Sequence, residues 1–220
     1  MIHAPFRSLF LGIVLSMAAA TAFAAPADFD AELLSIQQAW ATANYQTPAG
    51  AAREAAFETL SQQAMQFAKR FPGRAEPLVW EGIVLSTYAG AKGGLGALGL
   101  AKQARDRLEA AVAIDGKVLE GSAYTSLGSL YSKVPGFPIG FGNDKKAREF
   151  LEKGLALNPD GIDSNFFYGE YLYDHGDDAR AMAHLEKALK AAPRPHRESA
   201  DSGRRQDIAA IVAKVKARQS

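Results

Sequence analysis

Apolar and small residues recur along this chain in paired helical stretches. In the most regular pair, Leu127, Gly128 and Tyr131 share one helical face. Ala147, Leu151, Gly154 and Leu155 share the next, which Pro159 ends. The following segment repeats this pattern with Tyr168, Gly169 and Leu172, then Ala181, Leu185, Ala188 and Leu189, and finally Pro193. The two prolines stand 34 residues apart, which is the spacing of a repeated helix–turn–helix unit. A small residue inside the first helix of each unit lets the second helix cross close to it, so each unit buries its apolar face against the next.

Two further hairpins precede these. One carries Leu78, Gly82 and Leu85, then Ala104, Leu108, Ala111 and Val112, with Gly116 in the place of the proline. The first runs through Leu33, Ile36, Ala39, Trp40 and Ala43, breaks at Pro48 and Gly50, and resumes with Leu60, Ala64, Phe67 and Ala68 as far as Phe71-Pro72-Gly73. Two of the four units are enlarged at the corner between their helices. Gly82 to Ala104 is ten positions longer than Gly169 to Ala181, and Gly128 to Ala147 is seven longer. The first enlarged corner, residues 93–99, is glycine-rich and reads as flexible. In the second, Pro135, Gly136, Pro138 and Gly140 predict defined turns that either present or bury Phe137, Ile139 and Phe141. A solenoid sets the two corners side by side on one edge. The chain ends in an amphipathic segment, 201–218, with Ile208, Ile211, Val212 and Val215 on one face and Arg204, Arg205, Lys214 and Lys216 towards solvent. It predicts a cap over the last unit. The expected fold is an all-α helical-hairpin solenoid of about nine helices.

The repeat pattern resembles a tetratricopeptide protein. The wording YSKVPGFPIGFGNDKKA followed by LNPDGIDSNFFYGEYLY is similar to the T components of tripartite ATP-independent periplasmic (TRAP) transporters. The resemblance covers roughly the last two thirds of the chain, and it implies a periplasmic helical-repeat protein that partners a solute-binding protein. Members of that family are often lipoproteins. This chain departs from them in having no cysteine to acylate.

The N-terminus agrees with export. Arg7, an apolar run from Leu9 to Met17, and Ala22-Phe23-Ala24 together read as a cleavable secretory signal over residues 1–24, leaving one helical-repeat domain over 25–220. The apolar run is shorter than the roughly 20 residues that a spanning helix needs, so no stable membrane insertion is expected after cleavage. Without Arg7 the chain has 24 basic and 24 acidic side chains. That balance gives no basic excess for nucleic acid. With zero cysteines there is no disulfide or thiolate chemistry.

Chemical motifs are few. Residues 94–99, GLGALG, match a dinucleotide fingerprint letter for letter but follow a helix instead of a strand. His175 stands near Asp174, Asp177 and Asp178 without metal-ligand spacing, and the last two read as the start of a helix. No nucleophile elbow appears, and Glu120, Glu149, Glu152 and Glu170 fall on helix surfaces. The sequence therefore predicts no catalytic residues, cofactor or metal, and a binding role is left.

In such a solenoid the first helices line the concave face. Taking Gly82, Gly128 and Gly169 as equivalent, residues three before, one after and four after each are expected in the groove. These are Val79, Ile83 and Ser86; Thr125, Ser129 and Ser132, with Lys133 beside it; and Phe166, Glu170 and Tyr173. The alternative for Val79, Ile83 and Phe166 is packing against the first hairpin or the cap. Two functions follow: a scaffold for a periplasmic partner protein, which the resemblance narrows to a solute-binding component, or a carrier of a hydrophobic or carboxylated small ligand. A homo-oligomer stays open.

Overall fold

The computed structural model describes Met1 and residues 26–219; the expected leader and its cleavage site otherwise lie outside the described residues. Nine α-helices follow in order: α1 Pro26–Ala41, α2 Ala51–Arg70, α3 Ala75–Lys92, α4 Gly94–Asp115, α5 Val118–Lys133, α6 Asp144–Leu157, α7 Ile162–Asp174, α8 Asp178–Leu189 and α9 Glu198–Gln219. A π-helical turn, Thr42–Gln46, continues α1. Among the described residues there is no strand, and the helices pack in consecutive pairs, which makes the chain an all-α helical-hairpin solenoid. None of these helices is long and apolar enough to cross a membrane.

The crossings rest on the small residues. A Cβ at Gly82 would stand 2.5 Å from Leu108 Cγ, and one at Gly128 the same distance from Leu151 Cγ and 2.8 Å from the Leu151 amide nitrogen. At Gly169 the nearest atom is Leu185 Cγ, 3.1 Å away. Leu108, Leu151 and Leu185 are fully buried, so each pair closes on a leucine seated over a glycine. Side-chain caps start two of the second helices: Asn143 accepts from the Lys146 amide (2.9 Å), and Asp177 accepts from the Arg180 amide (3.2 Å). Each satisfies a donor that the first turn leaves unpaired.

Apolar cores run along the molecule. Phe29, Ile36, Trp40, Phe57 and Phe67 fill the first hairpin, and Val79, Leu108, Leu127 and Leu151 fill the middle. Ile162, Phe166 and Leu185 meet Ile208, Ile211 and Val215 of α9 at the end. The cap expected over 201–218 is therefore present, beginning three residues earlier at Glu198.

The first enlarged corner is not a flexible loop. The turn is made by Gly93 and Gly94, at φ 62° and 58°, and α4 begins at Gly94, so the added residues lengthen the two helices. Gly96 and Gly99 stand exposed, while Ala101 is buried, Ala97 and Leu100 are half-buried against the central core, and Leu98 is half-buried beside Gly140 of the second corner. Packing of that face outweighs the ~1 kcal/mol that each interior glycine costs a helix. The dinucleotide-like letters are thus ordinary helix. The second corner is an ordered loop. The amides of Ile139 and Gly140 both donate to Gly136 O at 3.1 Å, Gly142 donates to Pro135 O at 3.0 Å, and Asn143 donates to Tyr131 O at 3.0 Å. Phe141 turns back onto the Tyr131 ring (5.3 Å) beneath the Arg105 guanidinium of α4 (4.7 Å). Phe137 and Ile139 project, 95 % and 70 % exposed. Burial and presentation, the two alternatives for this loop, divide between its residues.

A candidate ligand groove and its closure

The first helices α3, α5 and α7 face one groove of about 900 Å³, which α1 also lines. Helical geometry sets which side chains reach it. With ~100° per residue, a position two before the crossing glycine lies ~160° from it, and positions one and five after lie ~100° and ~140° from it. Trp80, Ser126 and Phe167 hold the first of these registers, and all three line the groove. Ile83 and Ser129 hold the second, and Thr87 and Lys133 the third.

This corrects part of the expected set. Ile83, Ser86, Thr125, Ser129 and Lys133 line the groove as expected. Val79 does not, being fully buried in the central core, and Phe166 is buried against α9. Both stand three before their glycine, only ~60° from the direction of the crossing, so they pack inward. Thr125, at the same register, is itself buried against Gly154 of α6 and only borders the groove. Glu170 and Tyr173 are also outside it: Glu170 pairs with Lys133 Nζ (3.2 Å), and Tyr173 lies under the Arg218 guanidinium (3.9 Å). Phe137, Ile139 and Phe141 belong to the corner loop and not to the groove.

One wall is a row of hydroxyls. Ser86 and Thr87 both donate to Ile83 O at 2.9 Å, and Ser122 donates to Leu119 O at 2.6 Å, which leaves oxygen lone pairs for other donors. Thr87 uses one to accept from Trp40 Nε1 (3.0 Å). Beside this wall, Leu119 and Glu120 take left-handed φ values of 49° and 55°. Left-handed backbone at residues other than glycine is costly and concentrates at functional sites.

The other side is closed by residues that the repeat does not supply. The linker after α8 brings Pro193, Arg194 and Arg197 to the groove, and α9 adds Arg204. Arg204, expected in solvent, is 7 % exposed. It donates through Nε to Asp163 Oδ1 at 2.7 Å, while Arg194 Nη1 donates to Asp163 Oδ2 at 2.7 Å. Arg194 Nε also donates to Asp201 Oδ1 at 2.7 Å, and Arg204 Nη1 to Asp207 Oδ2 at 3.1 Å. Arg205 is likewise turned inward, donating to Ala191 O at 3.2 Å. Burial alone would raise the Asp163 carboxyl, but the Arg204 and Arg194 guanidiniums outweigh it and hold this group well below the usual carboxylate range. From the same helix the network reaches the first hairpin, where Tyr45 Oη donates to Asp207 Oδ2 at 2.8 Å. Burial, with Asp207 adding to it, pushes the Tyr45 phenol up. Gln46 Nε2 donates to Ser199 Oγ (3.1 Å), and Gln38 Nε2 donates to His196 O (3.3 Å). Helix α9 thus touches both the last unit and the first, and the groove sits between them.

The remaining candidates for chemistry are spread out. His175 Nδ1 lies 2.8 Å from Tyr171 O, and His184 Nδ1 lies 3.0 Å from Asn165 Oδ1. Among the described residues no group of three or more His, Cys, Asp or Glu is placed to hold a metal ion. No family model matches the chain, and no curated protein matches it either.

Proposed function

We propose that this protein is a binding protein that holds one small amphiphilic molecule in the groove. The observation that supports this most is the groove of about 900 Å³ between the solenoid's inner helices and α9. That size suits a small-molecule ligand, and a mixed lining of aromatic and hydroxyl side chains fits one apolar body with a few polar contacts. Closure by α9 argues against an extended protein segment running along the concave face. The role is binding and not catalysis. The leader-like N-terminus and the likeness to TRAP T components belong to the same proposal: an exported, tetratricopeptide-like protein that works in the periplasm beside a solute-binding component.

A second reading, a docking scaffold for a partner protein, is supported by Phe137 and Ile139, two large apolar side chains exposed on an ordered loop. The neutral fluorophore N-phenyl-1-naphthylamine separates the readings. Uptake by the wild type, with quenching of Trp40 and Trp80, and loss of uptake in a groove-filling Ser129→Trp variant support the ligand reading. Equal uptake by the filled variant would contradict it.

A further inference from the structure

Four cationic side chains line the groove, and three of them are neutralised. Lys133 Nζ lies 3.2 Å from Glu170 and 2.6 Å from Asp174. Arg194 pairs with Asp163 and Asp201, and Arg204 pairs with Asp163 and Asp207. Arg197 forms no ion pair among the described residues, and its Nε is buried without a hydrogen-bond partner. Its guanidinium lies over the Trp80 ring, 5.1 Å from the centroid. Trp80 is itself 5 % exposed, and its indole N–H has no partner either. Unpaired buried donors are rare in folded proteins, and here two stand side by side where α3 meets the entry to α9.

Resting on the groove reading above, we infer that this corner seats the headgroup of a monocarboxylate, with its alkyl chain lying along Trp40, Ile83, Leu119 and Phe167. A planar carboxylate matches the guanidinium fork, and one negative charge matches the one cation left unpaired. The neighbours argue against a dianion. Asp163 is ionised nearby, and its two guanidiniums are already engaged. Burial, followed by the charge of Arg194, lowers Arg197 to about 10, and Asp163 and Asp201 offset this only in part, so it stays cationic at neutral pH but has no counter-charge in contact. A bound carboxylate supplies that charge.

Competition between laurate and dodecanol for the bound N-phenyl-1-naphthylamine tests the inference. The wild type is expected to prefer laurate by about ten- to a hundredfold, the range of a hydrogen-bonded charge. Arg197→Met should bring the ratio of the two affinities to about one, and Arg197→Lys, which restores the charge without the fork, should recover part of it. Thermal melting of each variant, followed by circular dichroism, checks that the folded protein is compared. A wild type that binds both ligands equally, or a folded Arg197→Met variant that keeps the preference, overturns the inference while leaving the groove reading standing. Failure of both ligands and of the fluorophore to bind overturns both.

Discussion

The two sides of the groove are built from different forces. The side formed by α3, α5 and α7 is positioned by leucines seated on glycines, with Leu108, Leu151 and Leu185 all fully buried. Its order is local, because each crossing joins helices adjacent in sequence. The side formed by the linker and α9 also rests on apolar packing, through Ile208, Ile211 and Val215, but adds charge where it meets the groove: Asp163 holds Arg194 and Arg204, and Asp207 holds Arg204 and Tyr45. Apart from Arg204 with Asp207 inside α9, these contacts join residues far apart along the chain. A wall of packed side chains fails by overpacking and is indifferent to salt, whereas a wall of ion pairs fails on neutralisation and weakens in salt. The protein therefore combines a rigid scaffold with a closure whose strength depends on pH and ionic strength.

Substitutions on the two sides should separate accordingly. The largest effect is expected from Gly128→Leu, since a side chain there meets the Leu151 backbone at 2.8 Å. A loss of about 3 kcal/mol in urea unfolding is predicted, at the upper end of the overpacking range. Gly169→Ala, which adds only a methyl 3.1 Å from Leu185 Cγ and 3.3 Å from Ala181 O, should cost clearly less. On the closing side, Asp163→Asn should cost about 2 kcal/mol, below the value for a fully buried pair because the carboxylate is a third exposed. The folded Asp163 carboxyl is depressed from its ordinary 3.8, so its contribution is complete above that value and disappears as pH falls below it. Acid titration of stability should therefore be flatter below pH ~4 in Asp163→Asn than in wild type, and unchanged in slope by Gly169→Ala. Tyr45→Phe removes one hydrogen bond to Asp207 and should cost about 1 kcal/mol, measured in the same urea unfolding. The smallest effect belongs to neither wall. The Phe137→Ser, Ile139→Ser double variant should melt within about 0.5 kcal/mol of wild type, because both side chains are exposed already.

What the sequence revealed follows the same division. The period of 34 located the hairpins, their crossing glycines and the inner helices, because helix-to-helix packing repeats with the chain. The groove set was half legible. Ile83, Ser86, Thr125, Ser129 and Lys133 do line the groove, but Val79 and Phe166, three before their glycines, turn inward, and Trp80, Ser126 and Phe167 were missed. Counting ~100° per residue from each glycine would have found them. The closing wall left no periodic trace. Arg204 shares a helix with solvent-facing Lys214 and Lys216, and only its partner in α7 distinguishes it. The two enlarged corners were alike in position but not in outcome. Ala and Leu on one face of residues 97–101 pack as helix, while Pro135 and Pro138 deny the second corner amide donors that a helix would use.

Closure of the solenoid by α9 is the claim on which the groove depends, and a chain without cysteine allows it to be measured directly. Cysteines introduced as Gln46→Cys and Ser199→Cys replace two side chains that touch at 3.1 Å across the junction. With a short bis-maleimide, the account predicts an intramolecular cross-link in nearly every monomer, seen by intact mass and by a peptide joining the π-turn to α9. Separate single-ended adducts at both cysteines, in a protein of unchanged helicity, would contradict it.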